Sequence, residues 1–371
     1  MRRTLGIALG AVLAIGMAAC GGSDSSTSSG GASATTGSGA KLQGKVAVLL
    51  PDTKSSTRWE LADRRFFEAA FKSAGLGSDD YSVKNAQGDA PTQVTQAEQA
   101  LTEGAKVIVL TNLDPGSGSA IINTAHAKGA KVIDYDRLTV NGKADYYVSG
   151  DATQAGRLQG QGLVADLAKG KVAKPAVAIL DGAPTDSFAT DLKKGYTEVL
   201  APKFASGAYT KVSEQAVPNW DAQQALTIFE QMLQRSGNRI DGVLAANDAL
   251  ANATISARRS RQLPYVPTTG LDATAEAIQH ILAGEQTMTV YFSIKDQATK
   301  AAKLAMELAR GQQPTGVDGR IANGDRQVPT ILLKPQTIRK DNIASTVIAD
   351  DYVSWKEICI GSYAKYCPAG R

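Results

Sequence analysis

The sequence of 371 residues carries a formal charge of +4, and two of those charges come from Arg2 and Arg3 at its start. A balance so close to neutral disfavours nucleic acid or another polyanion as the partner. Two histidines and three cysteines leave little for metal binding or acid–base chemistry, so no metal and no cofactor are expected. The length exceeds that of one ordinary hydrophobic core and favours two lobes.

The first residues are typical of an export signal. A positively charged start precedes a short apolar run over 5–17, which is too short to span a bilayer, and small residues with Cys20 follow as a cleavage site. A cysteine at this place resembles a bacterial lipobox, which predicts a lipid on Cys20 and anchoring to the cell membrane outside the cytoplasm. An ordinary signal peptide that contains a cysteine is the alternative. Residues 21–43, rich in Gly, Ser and Thr, are predicted to form a flexible tether.

Short apolar runs then alternate with amphipathic stretches. In the first half of the body the predicted strands are 45–50, 83–86, 107–110 and 132–135, and the predicted helices are 59–74, 93–103 and 120–128. Continuous apolar strands separated by helices predict a parallel sheet covered on both faces.

The same alternation starts again further along the chain. The predicted strands there are 176–180, 209–212, 242–246, 266–271 and 288–292, and the predicted helices are 153–168, 188–200, 220–235, 249–261, 273–282 and 294–310. The repetition predicts an α/β protein of two doubly wound parallel-sheet lobes joined by a three-segment hinge.

The hinge segments are expected near 149–151, 292–293 and 327–329. The predicted N-terminal lobe then comprises 44–149 and 293–327, the C-terminal lobe comprises 150–292 and 328–350, and a tail covers 351–371. Cys359 and Cys367 lie close together in this tail. In an exported protein they are expected to form a local disulfide, and a zinc site is disfavoured because no histidine lies near them.

Polar side chains follow nearly every predicted strand, where ligands of open parallel sheets bind. These residues are Asp52, Asn112, Asp114, Asp136, Arg137, Asp181, Asn247, Asp248 and Asp272. For Asp181 and Asp248, capping of the following helix is the preferred interpretation. A guanidinium does not cap a helix N-terminus, so Arg137 indicates a ligand.

Several of these positions lie in segments that resemble a known family. The segments are Leu49-Leu50-Pro51-Asp52 with Arg58-Trp59, Asp134-Tyr135-Asp136-Arg137, Ala246-Asn247-Asp248-Ala249, Gly270-Leu271-Asp272-Ala273 and Gly284-Glu285-Gln286-Thr287-Met288-Thr289-Val290-Tyr291. In this order, over about 45–348, the chain resembles the xylose-binding group of sugar ABC transporter proteins, which have the type I periplasmic binding protein fold.

The resemblance implies roles for individual residues. It assigns sugar contacts to Arg58, Trp59, Asp136, Arg137, Asn247 and Asp272, and stacking on the sugar to Trp220. The residue types suit that task, because carboxylates, amides and guanidinium groups pair with hydroxyls while an indole packs on the C–H face of a ring.

Two departures from the family pattern concern ligand choice. Asp186-Ser187-Phe188-Ala189 stands where the family commonly has Asp-Asn-Asn-Ala, and Phe292 stands where it tends to have lysine. Ser187, Phe188 and Phe292 are therefore further candidate ligand-binding residues. The exchanges make the cleft less polar and are expected to change which sugar is accepted.

The sequence thus predicts a monomeric, non-enzymatic solute-binding protein of an ABC sugar importer. Its ligand is expected to be a xylose-like pentose, a hexose or a related polyol, which it hands to a membrane permease. The alternative is a sensor that presents sugar to a membrane receptor kinase. A repressor is disfavoured because the chain starts with a signal-like segment, and an enzyme because no nucleophile elbow, dinucleotide fingerprint, phosphate loop or metal spacing occurs.

Overall fold

The computed structural model describes residues 41–370. The predicted export signal, the lipidation site Cys20 and nearly all of the tether lie outside the described residues. Within 41–370, no helix is both long and apolar enough to cross a membrane.

Strands and helices alternate along most of the described chain. The strands are β1 (Lys45–Leu50), β2 (Tyr81–Asn85), β3 (Ala105–Leu110), β4 (Lys131–Tyr135), β5 (Tyr146–Gly150), β6 (Ala176–Asp181), β7 (Thr210–Ala216), β8 (Gly242–Ala245), β9 (Thr289–Tyr291), β10 (Gly319–Asn323), β11 (Arg326–Leu333) and β12 (Gln336–Ile338). The helices are α1 (Arg64–Ser73), α2 (Ala90–Thr102), α3 (Pro115–Ala127), α4 (Ala152–Lys169), α5 (Ser187–Ala205), α6 (Ala222–Arg235), α7 (Asp248–Ser260), α8 (Ala275–Ala283), α9 (Ile294–Ala309) and α10 (Trp355–Ile358).

The N-terminal lobe is built on a seven-stranded sheet in the order β10-β11-β5-β4-β3-β1-β2. Its strands are parallel except for the β10–β11 hairpin. Residues 46–50 of β1 are buried throughout, as expected for a strand that is covered on both faces, whereas the edge strand β2 is only half-buried.

The C-terminal lobe contains a parallel sheet in the order β7-β6-β8 and a two-stranded antiparallel ladder of β9 and β12. Together the two lobes confirm the predicted α/β architecture.

Several helices that follow strands have a capping side chain, which accepts one of the first free N–H groups of the helix. Asp114 caps α3, Asp186 caps α5, Asp221 caps α6 and Asn247 caps α7.

The predicted strand over 266–271 is wrong. This segment forms only two isolated bridges, Val243 with Thr268 and Leu271 with Val290. Pro267 has no N–H to donate. Further on, the Thr269 hydroxyl rather than a backbone carbonyl accepts the N–H of Ala245, at 3.0 Å. A regular ladder therefore does not develop.

The third hinge segment lies further along the chain than predicted. Residues 327–329 fall inside β11, which pairs with β5 from Thr330 opposite Tyr147 to Leu333 opposite Gly150. The N-terminal lobe therefore extends to Leu333. The chain then passes through 334–335 to β12 in the other lobe.

The C-terminal tail contacts both lobes. Cys359 and Cys367 form a disulfide, and Gln279 of α8 donates to the carbonyl of Ile358 at 2.8 Å. From the other lobe, Arg65 of α1 donates to the carbonyl of Asp351 at 2.6 Å. The tail thus lies across one side of the junction between the lobes.

Helices α4 and α5 approach so closely that glycine is required where they cross. A Cβ on Gly156 would lie 2.0 Å from the carbonyl oxygen of Leu192, and a Cβ on Gly195 would lie 2.0 Å from that of Thr153. Neither backbone oxygen can move without shifting a helix.

We therefore expect Gly156→Ala to lower the free energy of unfolding by about 2–3 kcal/mol, because the overpacking outweighs the better helix propensity of alanine. The matched control is Gly170→Ala, where the added Cβ would lie 3.5 Å from its nearest neighbour. Urea unfolding measures both. A Gly156→Ala protein as stable as the parent would contradict the close helix contact.

Candidate functional site

A small cavity of about 30 Å³ lies between the two lobes. Loops at the carboxyl ends of strands from both lobes enclose it. The N-terminal lobe contributes Ser55, Ser56, Arg58, Trp59, Asp136 and Arg137, and the C-terminal lobe contributes Asp186, Phe188, Trp220, Asn247, Leu271 and Asp272.

Arg58 is buried among three carboxylates. Its Nε donates to Asp63 Oδ2 at 2.9 Å, and its Nη2 donates to Asp136 Oδ2 at 3.1 Å. Its Nη1 lies 3.7 Å from Asp272 Oδ1 in the opposite lobe. Although burial alone would lower the pKa of Arg58, the carboxylates of Asp63 and Asp136 raise it well above its ordinary value. Arg58 is thus a fixed positive charge that links the lobes.

Arg137 makes a second link between the lobes. Its Nη2 donates to Ser55 Oγ at 3.2 Å, and its Nη1 donates to the carbonyl of Asn112 at 3.3 Å. Its Nε lies 3.0 Å from Asp186 Oδ2 across the cleft, although the N–H is not aimed at that oxygen. The indole of Trp59 lies beside both guanidinium groups, 4.3 Å from Arg58 and 5.6 Å from Arg137.

Asp186 organises the wall of the C-terminal lobe. Its carboxylate accepts the N–H of Phe188 at 2.8 Å and the indole N–H of Trp220 at 3.0 Å. Burial raises the pKa of Asp186, and the positive charge of Arg137 opposes that rise. The Trp220 ring packs on Gly182, where a Cβ would lie 2.2 Å from the indole. The indole is therefore held in one orientation at the cavity.

Asn247 uses both ends of its amide. Its Oδ1 accepts the N–H of Leu250 at the start of α7, at 3.1 Å, and its Nδ2 donates to the carbonyl of Ser55 in the other lobe at 2.9 Å. Asp272 faces Arg58 nearby. Burial raises the pKa of Asp272 to about 6, while the charge of Arg58 opposes that rise. This side of the cleft therefore also pairs polar groups from both lobes.

A family model of the periplasmic binding protein domain matches residues 46–313. The chain belongs to the periplasmic binding protein family. The match spans the cavity-lining residues of both lobes. It confirms the predicted type I periplasmic binding protein fold. It also confirms the prediction of a substrate-binding protein rather than an enzyme.

Relatives of this periplasmic binding protein are sugar-binding proteins. It is 35% identical to the D-xylose-binding periplasmic protein of Escherichia coli, over 85% of this chain and 92% of that protein. It is 30% identical to the multiple sugar-binding periplasmic receptor of Rhizobium radiobacter, over 84% of this chain and 91% of that protein. A carbohydrate transporter solute-binding protein from Chloroflexus aurantiacus, solved with D-glucose, superposes with a TM-score of 0.77 at 27% identity, over 85% of this chain and 98% of that one.

These findings confirm the predicted resemblance to the xylose-binding group and do not favour the sensor alternative. Because its relatives are periplasmic, this periplasmic binding protein functions outside the cytoplasm.

The structure brings most of the predicted ligand-binding residues to the cavity wall. Ser187 and Phe292 are the exceptions. The hydroxyl of Ser187 accepts the N–H of Leu138 from the other lobe at 2.9 Å, away from the cavity. Phe292 lies behind Phe188, with ring centroids 6.0 Å apart, and therefore supports the wall rather than forming it.

Four cavity residues were not among the predicted site residues: Ser55, Ser56, Asp186 and Leu271. The two serines lie in the loop that leads to Arg58, and Asp186 directly precedes Ser187. Their positions next to predicted site residues were the available signal. Nothing in a serine or a leucine alone distinguishes a site residue from an ordinary loop residue.

The prediction that Asp181 and Asp248 cap helices is wrong for both. Asp181 accepts from the Tyr196 hydroxyl and from Lys193, whereas α7 is capped by Asn247. Asp248 instead points into the interior, where its carboxylate accepts from Thr274 and from other groups around it. Burial raises the pKa of Asp248 to about 8, and the nearby charge of Asp272 adds to the rise.

Asp248 should make this periplasmic binding protein less stable as the pH rises. Its pKa is higher in the folded chain than in the unfolded chain, so the folded state holds the extra proton and stability declines from about pH 4 to about pH 8. The contribution is at most about 1.4 kcal/mol per pH unit. Urea unfolding at several pH values should show a shallower decline for Asp248→Asn than for the parent, and an unchanged slope would contradict the raised pKa.

Proposed function

We propose that this chain is the solute-binding protein of an ABC sugar importer, which traps one monosaccharide between its lobes and delivers it to a membrane permease. One observation carries the proposal. Two indoles, two guanidinium groups and three carboxylates from opposite lobes converge on one small cavity. Such a set can pair many hydroxyls while an indole covers a C–H face of the ring.

Closure of the lobes follows from the same contacts. Arg58 approaches Asp272, Arg137 approaches Asp186, and Asn247 donates to Ser55, each pair joining the two lobes. A sugar that bonds to both walls favours the closed form by its differential contacts. The relatives that bind sugars support this assignment, with a xylose-like pentose, a hexose or a related polyol as the ligand.

Calorimetric titration with a panel of pentoses, hexoses and polyols tests the function. We expect at least one monosaccharide to bind at one site per chain. Asp136→Asn should weaken that binding about 10- to 150-fold, because hydrogen bonds to a charged group contribute about 1.5–3 kcal/mol each. Asp341→Asn, at an exposed position, is the matched control. Binding of no sugar, or equal affinity in both variants, would refute the assignment.

We also propose that a lipid on Cys20 anchors a monomeric protein to the cell membrane. The small residues before Cys20, the Gly- and Ser-rich segment after it and the extracytoplasmic family support this. Labelling with a radioactive fatty acid should mark the parent and not Cys20→Ser, and the variant should leave the membrane fraction. Analytical ultracentrifugation of the Cys20→Ser protein should give a single monomeric species. Retention of the label by Cys20→Ser, or a dimer, would contradict these proposals.

A further inference from the structure

The two walls of the cavity differ in chemistry. The N-terminal lobe presents mostly polar side chains: Ser55, Ser56, Arg58, Asp136 and Arg137, with Trp59 among them. The C-terminal lobe presents three apolar side chains, Phe188, Trp220 and Leu271, beside three polar ones, Asp186, Asn247 and Asp272. A ligand between the lobes therefore meets mostly hydrogen-bonding groups on one side, and on the other a mixed surface with an apolar patch of Phe188, Trp220 and Leu271.

Two polar side chains of the C-terminal wall already form hydrogen bonds within their own lobe. Asp186 already accepts the N–H groups of Phe188 and Trp220, and Asn247 Oδ1 already caps α7. These bonds do not depend on the other lobe, so they persist when the cleft opens. A sugar hydroxyl that faces Phe188 consequently has few acceptors or donors to pair with.

Packing holds the Phe188 ring at the cavity wall. Its backbone is fixed at the start of α5 by Asp186, and the ring meets Phe292 edge to face, with an interplanar angle of 85°. Phe292 in turn fills the space beside Gly150, where a Cβ would lie 2.3 Å from its ring. Both phenylalanines are buried, at 5% and 3% exposure. The two phenylalanines of this patch are therefore closely packed.

We propose, on the basis of the proposed function, that Phe188 is a specificity-determining residue that selects 6-deoxyhexoses. The methyl group of such a sugar packs against Phe188, whereas the hydroxymethyl group of the parent hexose buries a hydroxyl without a partner. Burial of an unpaired hydroxyl is disfavoured, and a pocket of this kind discriminates about 10- to 200-fold. A pentose lacks the methyl group and is expected to bind about fourfold less tightly than the deoxyhexose.

Calorimetric titration with two matched pairs tests the inference: 6-deoxy-D-glucose against D-glucose, and D-fucose against D-galactose, with D-xylose as the pentose. We expect the parent protein to bind the preferred deoxy sugar at least about 10-fold more tightly than its hexose. Phe188→Leu keeps an apolar wall and should keep the preference. An asparagine side chain has nearly the same shape as that of leucine but offers hydrogen bonds, so Phe188→Asn should abolish or reverse the preference.

Two outcomes overturn this inference while leaving the proposed function intact. One is tighter or equal binding of the hexose in both pairs. The other is the same affinity ratio in Phe188→Leu and Phe188→Asn. If Phe188→Asn does not fold, the ratio in the parent protein and in Phe188→Leu decides. Failure of every sugar to bind the parent protein overturns the proposed function together with this inference.

Discussion

Replacing Arg58 by methionine is expected to lower the free energy of unfolding by about 3–5 kcal/mol near neutral pH, the range for removing one partner of a buried ion pair. Arg58 is 4% exposed, and its guanidinium faces the carboxylates of Asp63, Asp136 and Asp272. Without it, these carboxylates remain buried with their principal counterion removed. Chemical denaturation near neutral pH measures the loss, with the exposed Arg261→Met as the matched control.

The Arg58→Met protein should also regain stability as the pH falls. Burial raises the pKa values of Asp63 and Asp272 even with Arg58 present, and its removal raises them further. A carboxyl group with a raised pKa binds its proton more readily in the folded chain, so acid favours folding between that pKa and about pH 4. A stability gap to the parent protein that stays constant from pH 7 to pH 5 would contradict this account.

Replacing Arg137 by methionine should abolish sugar binding at a smaller cost in stability. Arg137 lines the cavity, and its hydrogen bonds to Ser55 and Asn112 hold its guanidinium group, which has several N–H donors, at the cavity wall. The loss of two charge-assisted hydrogen bonds of about 1.5–3 kcal/mol each should weaken binding at least about 100-fold. Asp186 keeps its bonds to Phe188 and Trp220, which limits the damage to the fold.

Calorimetry with the best-bound sugar checks the Arg137→Met prediction, and thermal unfolding without sugar shows that the variant is folded. Arg261→Met, at an exposed position, again serves as the control. If the folded Arg137→Met protein binds the sugar as tightly as the control does, Arg137 is not a ligand residue.

Fold class and most of the site could be predicted because both follow from local patterns. The buried strands β1 and β3 contain continuous apolar runs, and such runs indicate parallel strands. Ligands of parallel sheets bind beyond the carboxyl ends of the strands. Arg137 and Asp272 could therefore be assigned to one cleft, because each follows a strand or a predicted strand. Their separation of 135 residues in the sequence gives no indication by itself that they lie close together.

The errors share a different cause, because each depends on contacts between distant segments. β11 is a strand because it completes the sheet beside β5, and no local pattern set the end of the lobe at Leu333. Asp248 resembles a helix cap in sequence, but Asn247 takes that role and leaves the carboxylate to groups beyond α7. Phe292 follows a cavity strand yet is turned behind Phe188. The directions of the Asp248 and Phe292 side chains are therefore set by tertiary packing.

The most direct test uses the tryptophans of the cavity. The chain has three tryptophans, and Trp59 and Trp220 lie on opposite walls, so Trp355→Phe leaves only these two as fluorescent reporters. Titration of Trp355→Phe with a monosaccharide that binds by calorimetry should change the emission in a saturable way, with the same affinity and one site per chain. A sugar that binds with unchanged emission, and with unchanged affinity in Trp220→Ala, would show that it binds elsewhere and that the two lobes do not enclose it.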